Sequence, residues 1–361
     1  MTHTLPVGTL LESEDATPAH LLAPKLNRHT FWCGQSGSGK TYALGVLLEQ
    51  VLLHTRLPLV VLDPNSDFVR LGEIRDDATP EAAATLAQRD IRVRRPGDPE
   101  HPLHVRLLDM PLRSRSAILG IDPIADAELY NLMLHLEPEV QNVQQGKLIE
   151  RLRAQEGEVR HRLALRLENV GVPSWDLWAW GGRSVTDDID ENPDATVVDL
   201  GGFATQAEFR AAALGVLDHL WEHRAQRVPR LIVIDEAHNL CSPDPVDAVH
   251  ALLTERIVQI AAEGRKFGLW LLLSTQRPSK VHPNALSQCD NLALMRMSSS
   301  RDLDELAAVF GYAPETLIAR SPGFSQGQAL FAGGFIPQAS LVQMGARLTH
   351  EGGIDVPVPL R

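Results

Sequence analysis

The eight residues Gly34-Gln-Ser36-Gly37-Ser38-Gly39-Lys40-Thr41 constrain this chain more than any others. They fill every fixed position of the pattern GxxxxGK[ST], and their surroundings match what that pattern requires. The apolar run Thr30-Phe-Trp-Cys33 leads into the loop, and helical spacing of Leu44, Leu47, Leu48, Val51 and Leu52 follows it to about Leu53. The glycines let successive backbone N–H groups converge on an anion, and the positive end of the following helix faces the same point. Lys40 then reaches β- and γ-phosphate oxygens, and the Thr41 hydroxyl is placed for Mg²⁺. Gly34, Ser36, Gly37, Ser38, Gly39, Lys40 and Thr41 are therefore the expected phosphate-binding residues, with ATP and Mg²⁺ as the expected ligands.

Such a loop has to sit between a buried strand and a helix, and the rest of the chain supplies more of both. Leu59-Val-Val-Leu62, Ala195–Leu200, Leu231-Ile-Val-Ile234, Leu269–Leu273 and Asn291–Arg296 are short apolar runs. They suit strands of a parallel sheet covered on both faces. Helical stretches are expected at about 206–224 and 246–263. From about Met110 to Trp180 the texture changes to Leu, Glu, Gln, Arg and Ala, and Gln141–Val170 reads as helix with few breakers. The expected fold class is α/β: a mostly parallel sheet with helices on both faces and a helical insertion. The segments are an N-terminal lead-in over 1–27 without its own core, a discontinuous core over 28–105 and 190–345, the insertion over 106–189, and a C-terminal arm over 346–361 that contains Val356-Pro-Val-Pro359.

Two strand ends complement the loop. Leu231–Ile234 delivers Asp235 and Glu236 to the carboxyl edge of the sheet, where ligands bind in open α/β folds. Asp235 is expected to hold the Mg²⁺ shell, and Glu236 to polarise an attacking water. Leu271-Leu-Leu-Ser-Thr-Gln276 ends in an amide that can stand between a γ-phosphate and that water. His238 either takes part in the site or simply caps and packs.

Composition removes other classes. The chain has 361 residues with 34 Lys+Arg and 46 Asp+Glu, a formal charge of −12, which argues against a generally basic nucleic-acid coat but not against a local basic channel. No apolar stretch approaches the roughly 18 residues of a membrane span. The N-terminus lacks the basic region of a signal peptide. Cys33, Cys241 and Cys289 lie far apart, as buried thiols in a reducing compartment would. A cytoplasmic location is expected. No histidine spacing suggests zinc. Arg89, Arg92, Arg94 and Arg95 cluster near one strand. Lys147, Arg151, Arg153, Arg160, Arg162 and Arg166 alternate with glutamates, as on a solvated helix with i,i+4 pairs.

These residues together resemble the HerA/FtsK branch of P-loop ATPases, HerA most closely. The resemblance is carried by Arg28-His-Thr30 running into the loop, by Val61-Leu-Asp63-Pro-Asn-Ser-Asp67-Phe68 and by Ile232–His238. It continues through Gly264-Arg-Lys-Phe-Gly268, Ser274–Lys280 and Asn284–Asp290. It implies a RecA-like core and a homo-hexameric ring that moves double-stranded DNA with ATP. It also implies a partner nuclease of the NurA type or another effector, in DNA end processing, repair or antiviral defence. Asp63 and His238 stand as outer-shell candidates. Arg265 lies on a connection that enters its strand at the edge opposite the nucleotide, so it is expected to act on a neighbouring subunit's ATP. The resemblance marks Arg28 as a second arginine of that kind. Only 27 residues precede Arg28, too few for the N-terminal β-barrel usual in HerA. A nucleotide-gated scaffold of a defence complex and a secretion-type ATPase that moves protein or peptide remain alternatives.

Overall fold

The computed structural model describes residues 3–13, 15–135 and 147–353. Its frame is an 11-stranded sheet in the order β2-β1-β11-β10-β9-β3-β8-β7-β4-β6-β5. The strands are β1 (Thr4–Leu10), β2 (Pro18–Leu22), β3 (His29–Cys33), β4 (Leu59–Asp63), β5 (Ile91–Arg94) and β6 (Ala195–Asp199). They continue as β7 (Arg230–Ile234), β8 (Leu269–Thr275), β9 (Cys289–Met295), β10 (Gln328–Gly333) and β11 (Ser340–Met344). From β9 to β5 every neighbouring pair is parallel, and from β9 outward to β2 every pair is antiparallel.

The apolar runs became the centre of this sheet because both of its faces are covered. Along β4, Leu59 and Val61 join one apolar cluster and Val60 and Leu62 the other, as the two-residue period of a strand requires. One face is closed by α1 (Lys40–His54), whose Leu44, Leu47 and Val51 share a cluster with Val61 and Trp32. The short α2 (Pro80–Leu86) follows β4.

The segment 106–189 contributes no strand to the sheet among the described residues. It carries α3 (Leu112–Ile118), α4 (Ala127–His135), α5 (Lys147–Arg153), α6 (Glu158–Val170) and α7 (Val185–Asp190). These pack on the second face together with α8 (Gln206–Glu222) and α9 (Ala248–Glu263), in one continuous cluster with the core. Buried Asp218 of α8 fixes the junction, accepting from Ser114 Oγ at 2.6 Å and from Arg256 Nε at 2.8 Å. Within Gln141–Val170, residues 141–146 lie outside the described residues. The remainder is two helices, parted around Gly157 at φ 137°.

Several sequence expectations need correction. The lead-in has no core of its own but is part of the sheet: β1 and β2 extend it, and Leu5, Val7 and Leu21 are buried in the cluster that α1 covers. Three basic residues of the insertion pair with carboxylates outside their own helix. Arg162 reaches Glu128 at 2.7 Å, Arg166 reaches Asp126 at 3.0 Å and Arg153 reaches Glu168 at 2.5 Å, so they stitch different helices together. Arg92 and Arg94 likewise converge on buried Asp188.

The expected C-terminal arm is, up to Gly353, a strap rather than an extension; residues 354–361, Val356–Pro359 included, lie outside the described residues. Arg347 is fully buried against α1, where its guanidinium occupies the space a Cβ on Gly45 would need. Glu49 of α1 accepts from the backbone N–H groups of Leu348 and Thr349 at 2.8 and 2.9 Å and pairs with Arg347 at 3.5 Å. On its other side the strap bonds to the chain after β4, through Arg75 N–H to Leu348 O and Gly352 N–H to Asp67 O. Removing Glu49 takes away the buried carboxylate beside Arg347 and the acceptor of two strap N–H groups, leaving Arg347 with the more exposed Glu351 at 3.4 Å. Glu49→Ala is therefore expected to cost about 3–5 kcal/mol in urea unfolding, more than truncation of an exposed ion pair such as Arg320–Glu12.

Candidate functional site

The Gly34–Thr41 loop leaves the carboxyl end of β3 and opens α1. Gly37 and Gly39 adopt φ values of 73° and 86°, which side-chain-bearing residues rarely take. Outward-facing contacts hold the loop open. Gln35 N–H donates to Arg296 O at 2.8 Å, Arg296 Nη2 donates to Gly37 O at 2.9 Å, and Gly327 N–H donates to Ser38 O at 3.0 Å. Ser36, Gly37, Gly39, Lys40 and Thr41 line a cleft of about 880 Å³, the size of a small-molecule site. Gly34 and Ser38 sit behind it. Ser38 is fully buried, and a Cβ on Gly34 would stand 2.7 Å from its hydroxyl.

Lys40 joins the loop to the strand ends beside it. Its Nζ lies 2.8 Å from Asp235 Oδ1, 3.1 Å from Glu236 Oε1 and 3.0 Å from Ser274 Oγ. Burial alone would lower the Lys40 pKa, but the two carboxylates outweigh it and hold the ammonium charged. Ser274 also donates to Asp235 Oδ1 at 2.6 Å. The second oxygen, Asp235 Oδ2, is buried and has no hydrogen-bond partner among the described residues. A bound cation would satisfy it.

Glu236 follows at φ 43°, a left-handed conformation that a glutamate adopts only when its surroundings enforce it. Its Oε2 lies 3.2 Å from His238 Nδ1 and accepts from Gln276 N–H at 3.4 Å. Burial pushes the Glu236 carboxyl up. The His238 hydrogen bond and the Lys40 charge more than reverse this, bringing its pKa to about 2. Gln276 lines the cleft beside Glu236, and His238 is held by Thr275 Oγ1 at 3.0 Å.

Asp63 ends β4 fully buried, accepting from the N–H groups of Asp67 and Phe68 at 3.0 and 2.8 Å. With Asp67 and Asp235 it forms a carboxylate trio whose oxygens lie within 4.8 Å of one another. Burial is the main reason that Asp63 titrates near about 7 and Asp67 near about 6, with the neighbouring Asp235 charge adding to it. The trio suits a divalent cation. Sequence reasoning gave no role to Asp67 or Ser274. Their signals were a second aspartate four residues after Asp63, and a hydroxyl at the end of an otherwise apolar strand.

Arg265 and Arg28 stand apart from this cleft, where β3, β8 and β9 begin. Gly264 has no room for a Cβ and Gly268 takes φ 83°, so the turn between them is tightly set. Phe267 packs inward on Trp221, and Arg265 reaches Asp290 at 2.7 Å, the same residue that Arg28 meets at 3.4 Å.

A family model described as "Helicase HerA, central domain" matches residues 5–172. A probable helicase of Methanocaldococcus jannaschii is 31% identical over 129 residues, 36% of this chain and 24% of its own length. The DNA double-strand break repair helicase HerA of Sulfurisphaera tokodaii is 30% identical over 118 residues, 33% of this chain and 23% of its own. The chain thus spans about a quarter of these two relatives. The HerA of Pyrococcus furiosus is 25% identical over 390 aligned positions, covering 94% of this chain and 69% of its own. Among solved structures, VirB4 of Thermoanaerobacter pseudethanolicus superposes with a TM-score of 0.65 at 17% identity, covering 95% of this chain and 96% of its own. The bacterial conjugative coupling protein TrwB gives 0.60 at 14%, covering 97% and 91%. Both share the α/β fold. The HerA central-domain match runs from the first strands through the nucleotide loop to residue 172, and the Pyrococcus furiosus HerA aligns along nearly the whole chain, so this chain is similar to HerA-type P-loop ATPases.

Proposed function

We propose that the chain hydrolyses ATP and couples the reaction to movement along double-stranded DNA. It does so as a homo-hexameric ring, working with a partner nuclease or another effector in DNA end processing, repair or antiviral defence. The observation that carries the ATPase reading is Lys40 bridging Asp235 and Glu236 at the mouth of the phosphate loop. Incoming phosphates draw Lys40 off both carboxylates. Glu236, whose pKa is held down first by the His238 hydrogen bond and then by Lys40, loses the second of these and becomes a better base, still aimed by its backbone and by His238. It takes a proton from the attacking water, which the Gln276 amide orients. Mg²⁺, held by Thr41 and Asp235 with Asp63 behind them, would neutralise charge on the β- and γ-phosphates. Arg265, with Arg28, completes the site of the adjacent subunit, because both lie at the far end of the sheet from their own loop.

The coupling to DNA is supported by the relatives, whose names describe DNA repair helicases. Duplex DNA is expected to raise the ATP hydrolysis rate at low salt. Binding should weaken with a log–log salt slope of about −0.9 per phosphate neutralised. A rate indifferent to duplex DNA, measured at 50 and 200 mM salt (roughly the span over which such contacts are lost), would leave a nucleotide-gated scaffold or a peptide-moving motor in its place.

A further inference from the structure

Arg28 and Arg265 are flexible side chains on different elements, yet they meet at one atom. Asp290 Oδ2 accepts from Arg265 Nη1 at 2.7 Å and from Arg28 Nη1 at 3.4 Å. Among the described residues it is the only carboxylate within ion-pair distance of either. The carboxylate is mounted on a fixed backbone. Asp290 O accepts from Gly334 N–H at 3.2 Å, and Gly333, at φ 109°, approaches that carbonyl too closely to carry a Cβ.

The next residue, Asn291, is fully buried with its amide spent on three contacts. It donates to Lys25 O at 3.1 Å and to Thr30 Oγ1 at 3.2 Å, and accepts from Phe335 N–H at 2.9 Å. Lys25 and Thr30 bracket Arg28. The same anchor thus fixes the segment that carries one arginine and the carboxylate that gathers both.

Charge points outward from this anchor. Two guanidiniums and one carboxylate leave a net single positive charge. His29 adds none, since burial and the Arg265 charge hold its pKa down at about 4. The side chains stay 47%, 33% and 48% exposed for Arg28, Arg265 and Asp290, open to an anion on another molecule.

We propose that Asp290 is a positioning residue that pre-aligns Arg28 and Arg265 for the nucleotide of the adjacent subunit. This rests on the reading of Arg265 as a trans-acting group. A guanidinium restrained by a rigid carboxylate has less freedom to lose when the neighbouring γ-phosphate arrives.

The test compares ATP hydrolysis by assembled Asp290→Asn, Asp290→Glu, Arg265→Ala and the Asp290→Asn/Arg265→Ala pair. Loss of alignment at the reacting phosphate is expected to lower kcat of Asp290→Asn by roughly ten- to a hundredfold with KM for ATP unchanged. Asp290→Glu should recover most of the rate. The double variant should be only slightly slower than Arg265→Ala, the remaining loss being the alignment of Arg28, since the carboxylate acts through the two arginines. Wild-type kcat in Asp290→Asn beside an impaired Arg265→Ala would overturn the role of Asp290, as would losses that multiply in the double variant. Full hydrolysis by Arg265→Ala would instead remove the trans-arginine reading itself.

Discussion

Glu236→Gln is expected to bind ATP with little change while hydrolysis falls by about 10²–10⁴, the range a positioned general base contributes. The amide keeps the shape of the side chain and can still meet His238, so the cleft keeps its form. What disappears is the acceptor for the proton of the attacking water. Lys40→Ala should fail differently. It removes the charge that meets the phosphates, and it leaves Asp235 and Glu236 buried without their cation. That variant is therefore expected to lose tight ATP binding and all turnover. Equilibrium nucleotide binding and single-turnover hydrolysis on both proteins check the pair. Normal turnover in Glu236→Gln would remove the general-base assignment.

The second large effect is at a distance from the cleft. Arg265→Ala should bind ATP yet hydrolyse it about 10³–10⁵ more slowly, the contribution of an arginine supplied to a transferring phosphoryl group. Its neighbour is Asp290, not its own Lys40 site, so the defect should be complementable. Mixed with Lys40→Ala subunits, Arg265→Ala subunits keep intact phosphate loops that Lys40→Ala subunits can serve with their own Arg265. Partial recovery of activity is expected at those mixed contacts. An unmodified rate in assembled Arg265→Ala would end the trans-acting role.

Much of this site is legible in the sequence because its elements are local. The phosphate loop is eight consecutive residues, and the strands around it are short, largely apolar runs, the pattern expected of strands covered on both faces. Asp235, Glu236 and Gln276 follow from where such strands end. Ser274 was hidden because its importance lies in two contacts made across strands, to Lys40 and Asp235. Asp67 was hidden for a related reason. Its carboxylate joins Asp63 and Asp235 only after the chain turns back past the end of β4. The outer strands were obscured by composition. β1 alternates buried Leu5 and Val7 with Pro6 and Gly8, and a register shift between Pro6 and Gly8 interrupts its pairing with β2. The helical insertion was legible as texture. Its contacts were not, since acid–base pairing between helices leaves no periodic trace.

The order of the sheet limits how copies of this chain can meet. Its two outermost strands are short, five residues in β2 and four in β5. The first begins at Pro18, and the second carries Arg92 and Arg94, which converge on Asp188. Edges of this kind resist the addition of a further strand from another molecule. An assembly of this chain is therefore expected to be joined through side chains and loops, not by continuing one backbone ladder into the next. Contacts of that type can loosen and re-form within a single catalytic cycle, whereas a shared β-ladder would hold its subunits in one fixed arrangement.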